Sequence, residues 1–85
     1  MAYRITIDPA ALREMKKIPP KIRQQIVHAI DALSGDPRPD GARKLTGSRS
    51  SYRIRVGEYR VLYRITDREL LVLVVKVGHR RDVYR

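Results

Sequence analysis

The chain has 85 residues, with 19 Lys and Arg against 9 Asp and Glu, giving a formal charge of +10. That length supports one small domain, residues 1–85, whose folding hides only about 60% of the surface that the unfolded chain exposes. Cysteine is absent, which excludes disulfide staples, thiolate zinc sites and a thiol nucleophile. No run approaches the roughly 18 apolar residues of a membrane helix. The first residues, Met1 to Asp8, lack the basic-then-apolar layout of a secretion signal. A cytoplasmic protein without membrane contact is expected, and the surplus of positive charge asks for a polyanionic partner, nucleic acid first.

Tyr3-Arg4-Ile5-Thr6-Ile7 alternates apolar with polar residues and reads as a strand. Asp8-Pro9 supplies a helix N-cap with Pro at the first helical position. The helix continues through Ala11, Leu12, Met15 and Ile18 until Pro19-Pro20 stops it. Pro20 opens a second helix, whose Ile22, Ile26, Ile30 and Leu33 form one apolar stripe. Gly35 closes it, and residues 36–41 form a loop. Lys16, Lys17, Lys21 and Arg23 cluster at the helix junction as a solvated surface, and His28 is a helix-surface or boundary residue.

The second half reads as sheet. Tyr52-Arg53-Ile54-Arg55-Val56 alternates strictly, and Gly57-Glu58 offers a two-residue turn with Gly first, as type II′ requires. Residues 59–65 return, and residues 66–69 turn again. The unbroken apolar run Leu70 to Val77 suits a central strand covered on both faces. Gly78 ends it, leaving residues 79–85 as a polar tail. The element order βααβββ predicts an α+β domain, a helix hairpin on one face of a small mixed sheet.

Charge is uneven: residues 1–40 hold seven basic against five acidic side chains, and residues 41–85 hold twelve against four. With Gly57-Glu58 as the turn, Arg55 lies opposite Arg60 and Ile54 opposite Val61. Directly opposed like charges destabilise a strand pair. Arg53 shares their face by alternation. A solvated sheet face would carry the same composition, yet three same-face arginines without an acid between them are better explained by a bound phosphate backbone. His79, Arg80 and Arg81 form a second cluster where the chain leaves the sheet. Tyr84 offers a phenol that stacks on a base or anchors the tail. Tyr3, Tyr52, Tyr59 and Tyr63 read as strand aromatics packed on the helices.

No metalloprotease motif, Gly-rich phosphate loop or acidic metal cluster is present, so no metal and no cofactor is expected. Phosphodiester cleavage would then rest on cationic stabilisation of the phosphorane. RNA suits this, because its 2′-OH is an internal nucleophile.

Residues 52–65 and 75–85, together with Asp8-Pro9 and Leu45-Thr46-Gly47, resemble the RelE toxins of the RelE/ParE superfamily over essentially the whole chain. The resemblance implies the toxin of a type II toxin–antitoxin module, a RelE-like fold, and an mRNA interferase that cuts message in the A site of the 70S ribosome. It implies a RelB-like antitoxin as partner, with DNA reached only through the antitoxin complex. It places the catalytic groups on Arg60, Arg80 and Tyr84. RNA binding falls to Arg53, Arg55, Lys44, His79 and Arg81. Where the best-known members carry lysines, this chain has Arg53 and Arg55; arginine is a poor general base, so these two are assigned to message phosphates. The alternatives are a ParE-like inhibitor of DNA gyrase and a non-catalytic RNA-binding module. A groove between helix pair and sheet would suit an antitoxin helix.

Overall fold

Asp8 begins the first helix as its chemistry dictates: its carboxylate accepts the Ala10 N–H at 2.9 Å, and Pro9 supplies the preset φ of the first turn. In the computed structural model, which describes residues 2–81, the elements in chain order are β1 (Arg4–Ile7), α1 (Pro9–Lys16), α2 (Pro20–Ala32) and β2 (Arg43–Lys44). They are followed by β3 (Ser51–Val56), β4 (Tyr59–Thr66), a 3₁₀ turn (Asp67–Glu69) and β5 (Leu71–His79). The α+β architecture is the expected one, with the two-residue β2 added. The sheet order is β1-β5-β4-β3-β2, with β1 parallel to β5 and the other pairs antiparallel. No helix among the described residues is long and apolar enough to cross a membrane.

Both helices lie on one face of the sheet. Ala11, Met15 and Ile18 from α1 and its exit join Ile26, Ile30 and Leu33 of the α2 stripe in the core. They meet Ile54, Val61, Tyr63, Ile65, Val72, Val74 and Val77 from the strands. Leu12, expected among the inward residues of α1, is instead 44% exposed, because the face set by Ala11 and Met15 leaves it pointing away from the sheet. His28 is exposed, as expected. Arg23 does more than solvate the helix junction. Its guanidinium donates to the Ile18 carbonyl at 2.9 Å and the Lys16 carbonyl at 3.4 Å, taking up acceptors that the end of α1 leaves open.

The apolar run in β5 is not covered on both faces. Val72, Val74 and Val77 are fully buried under the helices, while Leu71, Leu73 and Val75 are half-buried with no described element above the opposite face. The strand also begins later and ends later than its composition suggests. Leu70 adopts a left-handed φ of 51° and leaves the 3₁₀ turn, so pairing starts at Leu71. Gly78 and His79 continue the ladder, facing Arg60 and Tyr59. Pairing jumps from Leu62↔Lys76 to Tyr63↔Val74, so Val75 is the extra residue of a β-bulge. That one residue explains why buried positions run 72 and 74, then 77.

Tyr3, Tyr52, Tyr59 and Tyr63 pack in or against the core, and all but Tyr59 also carry polar ties. The Tyr63 hydroxyl donates to the Pro37 carbonyl at 2.7 Å, pinning the loop after α2. Arg38 grips Asp67 through two N–H donors at 3.2 and 2.8 Å. It also donates to the Tyr52 hydroxyl at 3.1 Å and lies 5.3 Å over that ring. Tyr3 completes the cluster by donating to Asp67 at 2.6 Å. The β1 start, the helix-to-sheet loop and the β4–β5 turn are thus fastened at one point, at the opposite end of β4 from the Gly57-Glu58 turn.

Candidate functional site

The β3–β4 hairpin has the register its sequence demands: Ile54↔Val61 and Arg55↔Arg60. Gly57 has a φ of +60° and Glu58 has no left-handed φ, the pattern of a type II′ turn. Alternation then separates the two faces. Ile54 and Val61 go to the core, and Arg53, Arg55 and Arg60 go to the open face.

Two cross-strand rows result. Arg55 and Arg60 share their row with Gly78 of β5, which adds no side chain of its own. One step further from the turn, Arg43, Arg53, Leu62 and Lys76 align across four strands. Among the described residues, no carboxylate lies within ion-pair distance of Arg53, Arg55 or Arg43. Arg43, Arg53 and Arg55, adjacent on one face without a carboxylate beside them, form a surface suited to phosphate.

Arg80 follows directly on β5 at the turn end of this face. Its backbone N–H donates to the Glu58 carbonyl at 2.9 Å, and its Nε lies 3.1 Å from Glu58 Oε2. His79 packs edge-on to Tyr59 at 5.6 Å between ring centres. Its Nδ1 accepts the Arg81 N–H at 3.3 Å, and its Nε2 stands 3.9 Å from Glu58 Oε2. Arg81 is exposed beside it. Tyr84 lies outside the described residues.

Lys44 is not brought into the rows. It pairs with Tyr52, so alternation turns it to the helix side of the edge strand while Arg43 takes the place opposite Arg53. Lys44 instead borders an open depression of about 600 Å³ with Leu45 and Thr46, which Arg43 and Arg53 reach from the other side. A second groove, about 570 Å³, follows the edge of β3 beyond the short β2, between Ala29 and Ala32 of α2 and the side chains of Arg53 and Arg55. Its lining comes from α2, the loop after it, β2 and β3, with three arginines and nothing from α1, so it differs from the groove expected between the helix pair and the sheet.

Three site residues escaped the sequence pattern. Arg43 belongs to a strand too short to alternate. Lys76 falls on the open face only because the bulge shifts its parity, although a lone Lys in an apolar run was a visible signal. Glu58 reads as a turn residue until the fold brings Arg80 to it.

The family model for the ParE toxin of the type II toxin-antitoxin system parDE matches residues 5–84. The toxin RelG of Mycobacterium tuberculosis is 38% identical over 89 residues, an alignment spanning 100% of this chain and 99% of RelG. The mRNA interferase toxin RelE of Escherichia coli K12 is 33% identical over 88 residues, spanning 99% of this chain and 92% of RelE. The structure also matches a chain of the toxin–antitoxin complex RelBE2 from M. tuberculosis. That match has a TM-score of 0.81 at 32% identity and covers 94% of this chain and all of the other. The chain belongs to the RelE/ParE family of type II toxin–antitoxin toxins and is of the RelE type.

Proposed function

We propose that this toxin is a ribosome-dependent endoribonuclease that cleaves message in the A site. The 2′-oxygen attacks the adjacent phosphorus, the bond from phosphorus to the 5′-oxygen breaks, and the 2′-proton is given up as the 5′-oxygen is protonated. The observation that carries the reading is the open-face cluster: Arg55 directly opposite Arg60, Arg53 in the neighbouring row, and Arg80 at the same end of the sheet. Opposed arginines cost a strand pair some tenths of a kcal/mol, so their retention points to an anionic ligand. The E. coli relative named an mRNA interferase supports the same substrate class. Arg53 and Arg55 bind message phosphates, with Arg43 and Lys76 extending the path across the sheet. Arg60 and Arg80 stabilise charge on the phosphorane, a metal-independent role for fixed cations. Tyr84 orients the reacting nucleotide or takes part in proton transfer. The partner is a RelB-like antitoxin, a reading supported by the complex in which the structural neighbour was solved.

The test is primer extension on message in a reconstituted translation extract, with ribosomes present or omitted. New 5′ ends within A-site codons, only with ribosomes, are expected from the wild type. Arg60→Ala and Arg80→Ala should each lose roughly 100- to 1,000-fold in rate, as when a transition-state donor is removed, while circular dichroism stays unchanged. A ParE-like action on gyrase has the matching family model in its favour. DNA-damage signalling with intact message would establish that action instead.

A further inference from the structure

Glu58 pairs with the cationic end of the sheet at His79 and Arg80. Its main-chain oxygen and its carboxylate both hold Arg80, so a two-residue turn grips the exit of β5 at backbone and side chain together. The two side chains are 62% and 54% exposed, and an ion pair in that setting adds little to stability. A carboxylate there also opposes the phosphate that the neighbouring arginines attract. What the contact does supply is direction. Glu58 Oε2 stands 3.1 Å from Arg80 Nε, on the side edge of a planar fork whose end carries the two terminal nitrogens.

We propose that Glu58 is a positioning residue. It holds Arg80 by its Nε edge so that Nη1 and Nη2 are presented to the scissile phosphate, and it acts on cleavage through Arg80 without touching the RNA. The inference rests on the endoribonuclease reading and adds to it a division of labour: Glu58 weakens RNA binding and speeds the reaction.

Single-turnover cleavage on message-programmed ribosomes separates the two effects. Glu58→Ala should bind about two- to fivefold tighter, as expected from deleting one unit charge several ångströms from a phosphate in water. Its cleavage rate should fall at least tenfold, short of the roughly 100- to 1,000-fold loss expected when the donor itself is removed. Glu58→Gln keeps an acceptor for Nε without the charge, and should recover most of the rate while retaining the tighter binding. In parallel, the ¹H–¹⁵N signal of Arg80 Nε in the free protein should be sharp in the wild type and in Glu58→Gln, and exchange-broadened in Glu58→Ala. An unchanged rate in Glu58→Ala overturns the proposal. So does a fall in rate and affinity together, or an Arg80 Nε signal indifferent to Glu58. Wild-type protein that leaves message intact on ribosomes overturns the functional reading itself, and the Nε signal then decides independently whether Glu58 orders Arg80.

Discussion

Tyr63 carries more of the fold than its size alone accounts for. The ring is fully buried and stacks with Tyr52 at 6.1 Å, while the hydroxyl holds the Pro37 carbonyl. Burial disfavours the phenolate and pushes the pKa from 10.0 up to about 12. The folded protein therefore keeps this proton at a pH where the unfolded chain has lost it. The associated stability is complete below about pH 10 and disappears as pH rises toward 12. Tyr63→Phe should cost about 1–2 kcal/mol at neutral pH through the lost bond and the orphaned carbonyl. It should also flatten the alkaline fall in stability relative to wild type, which urea denaturation across pH 8–12 would measure. Asp67 acts at the other end of the scale. The Arg38 donors, then the Tyr3 hydroxyl, hold its carboxyl below its usual range. Its contribution is present above the ordinary carboxylate pKa and is lost as pH falls through the lowered one.

At the level of elements, the bulge at Val75 decides which side of the sheet receives Lys76. Without it, regular alternation from Val72 and Val74 would put Lys76 in the core and Val77 in solvent. Deleting Val75 removes the irregularity and should keep the fold, because Lys76 then follows the inward Val74 directly on the open face and Val77 stays in the core. Circular dichroism and a retained cooperative melt would report this, and loss of the melt would show that the bulge itself is needed. Val75→Ala, which keeps the residue count, should retain the fold. The bulge thus links core packing to the cationic face, since it takes up the extra Val75 so that Val77 still closes the core and Lys76 still joins the row of Arg43 and Arg53.

Across the whole molecule, the helices occupy one face of the sheet, and the other collects basic side chains. A chain of +10 stays soluble by self-repulsion and gains contacts when a polyanion arrives. If Arg53, Arg55, Arg60 and Arg80 each meet one phosphate, affinity for single-stranded RNA should fall with salt at a log–log slope of about −3. Arg53→Ala should reduce that slope by about 0.7 without altering the fold. Fluorescence anisotropy over a salt series would check both values. A slope that does not respond to Arg53 would place the RNA elsewhere on the surface.

Local chemistry was enough for the Asp8-Pro9 helix start, the α2 stripe, the Gly57-Glu58 turn and the Arg55–Arg60 pairing. In each case the cause lies within a few residues: a cap, a helical period, a positive φ, or a hairpin register set by its own turn. The same locality made Arg53, Arg55 and Arg60 legible as a group and Arg80 as part of a second basic cluster, and the family resemblance joined the two. The rest depended on contacts between distant segments. β2 is too short to alternate, and it forms because the loop after α2 is brought to the edge of β3. The parity of Lys76 depends on a bulge that only pairing with β4 reveals. Glu58 meets Arg80 because β5 lies beside β4, an adjacency created by closing the sheet. A sequence can declare its own periods and turns, whereas the partner of a turn residue is chosen by the packing of the whole chain.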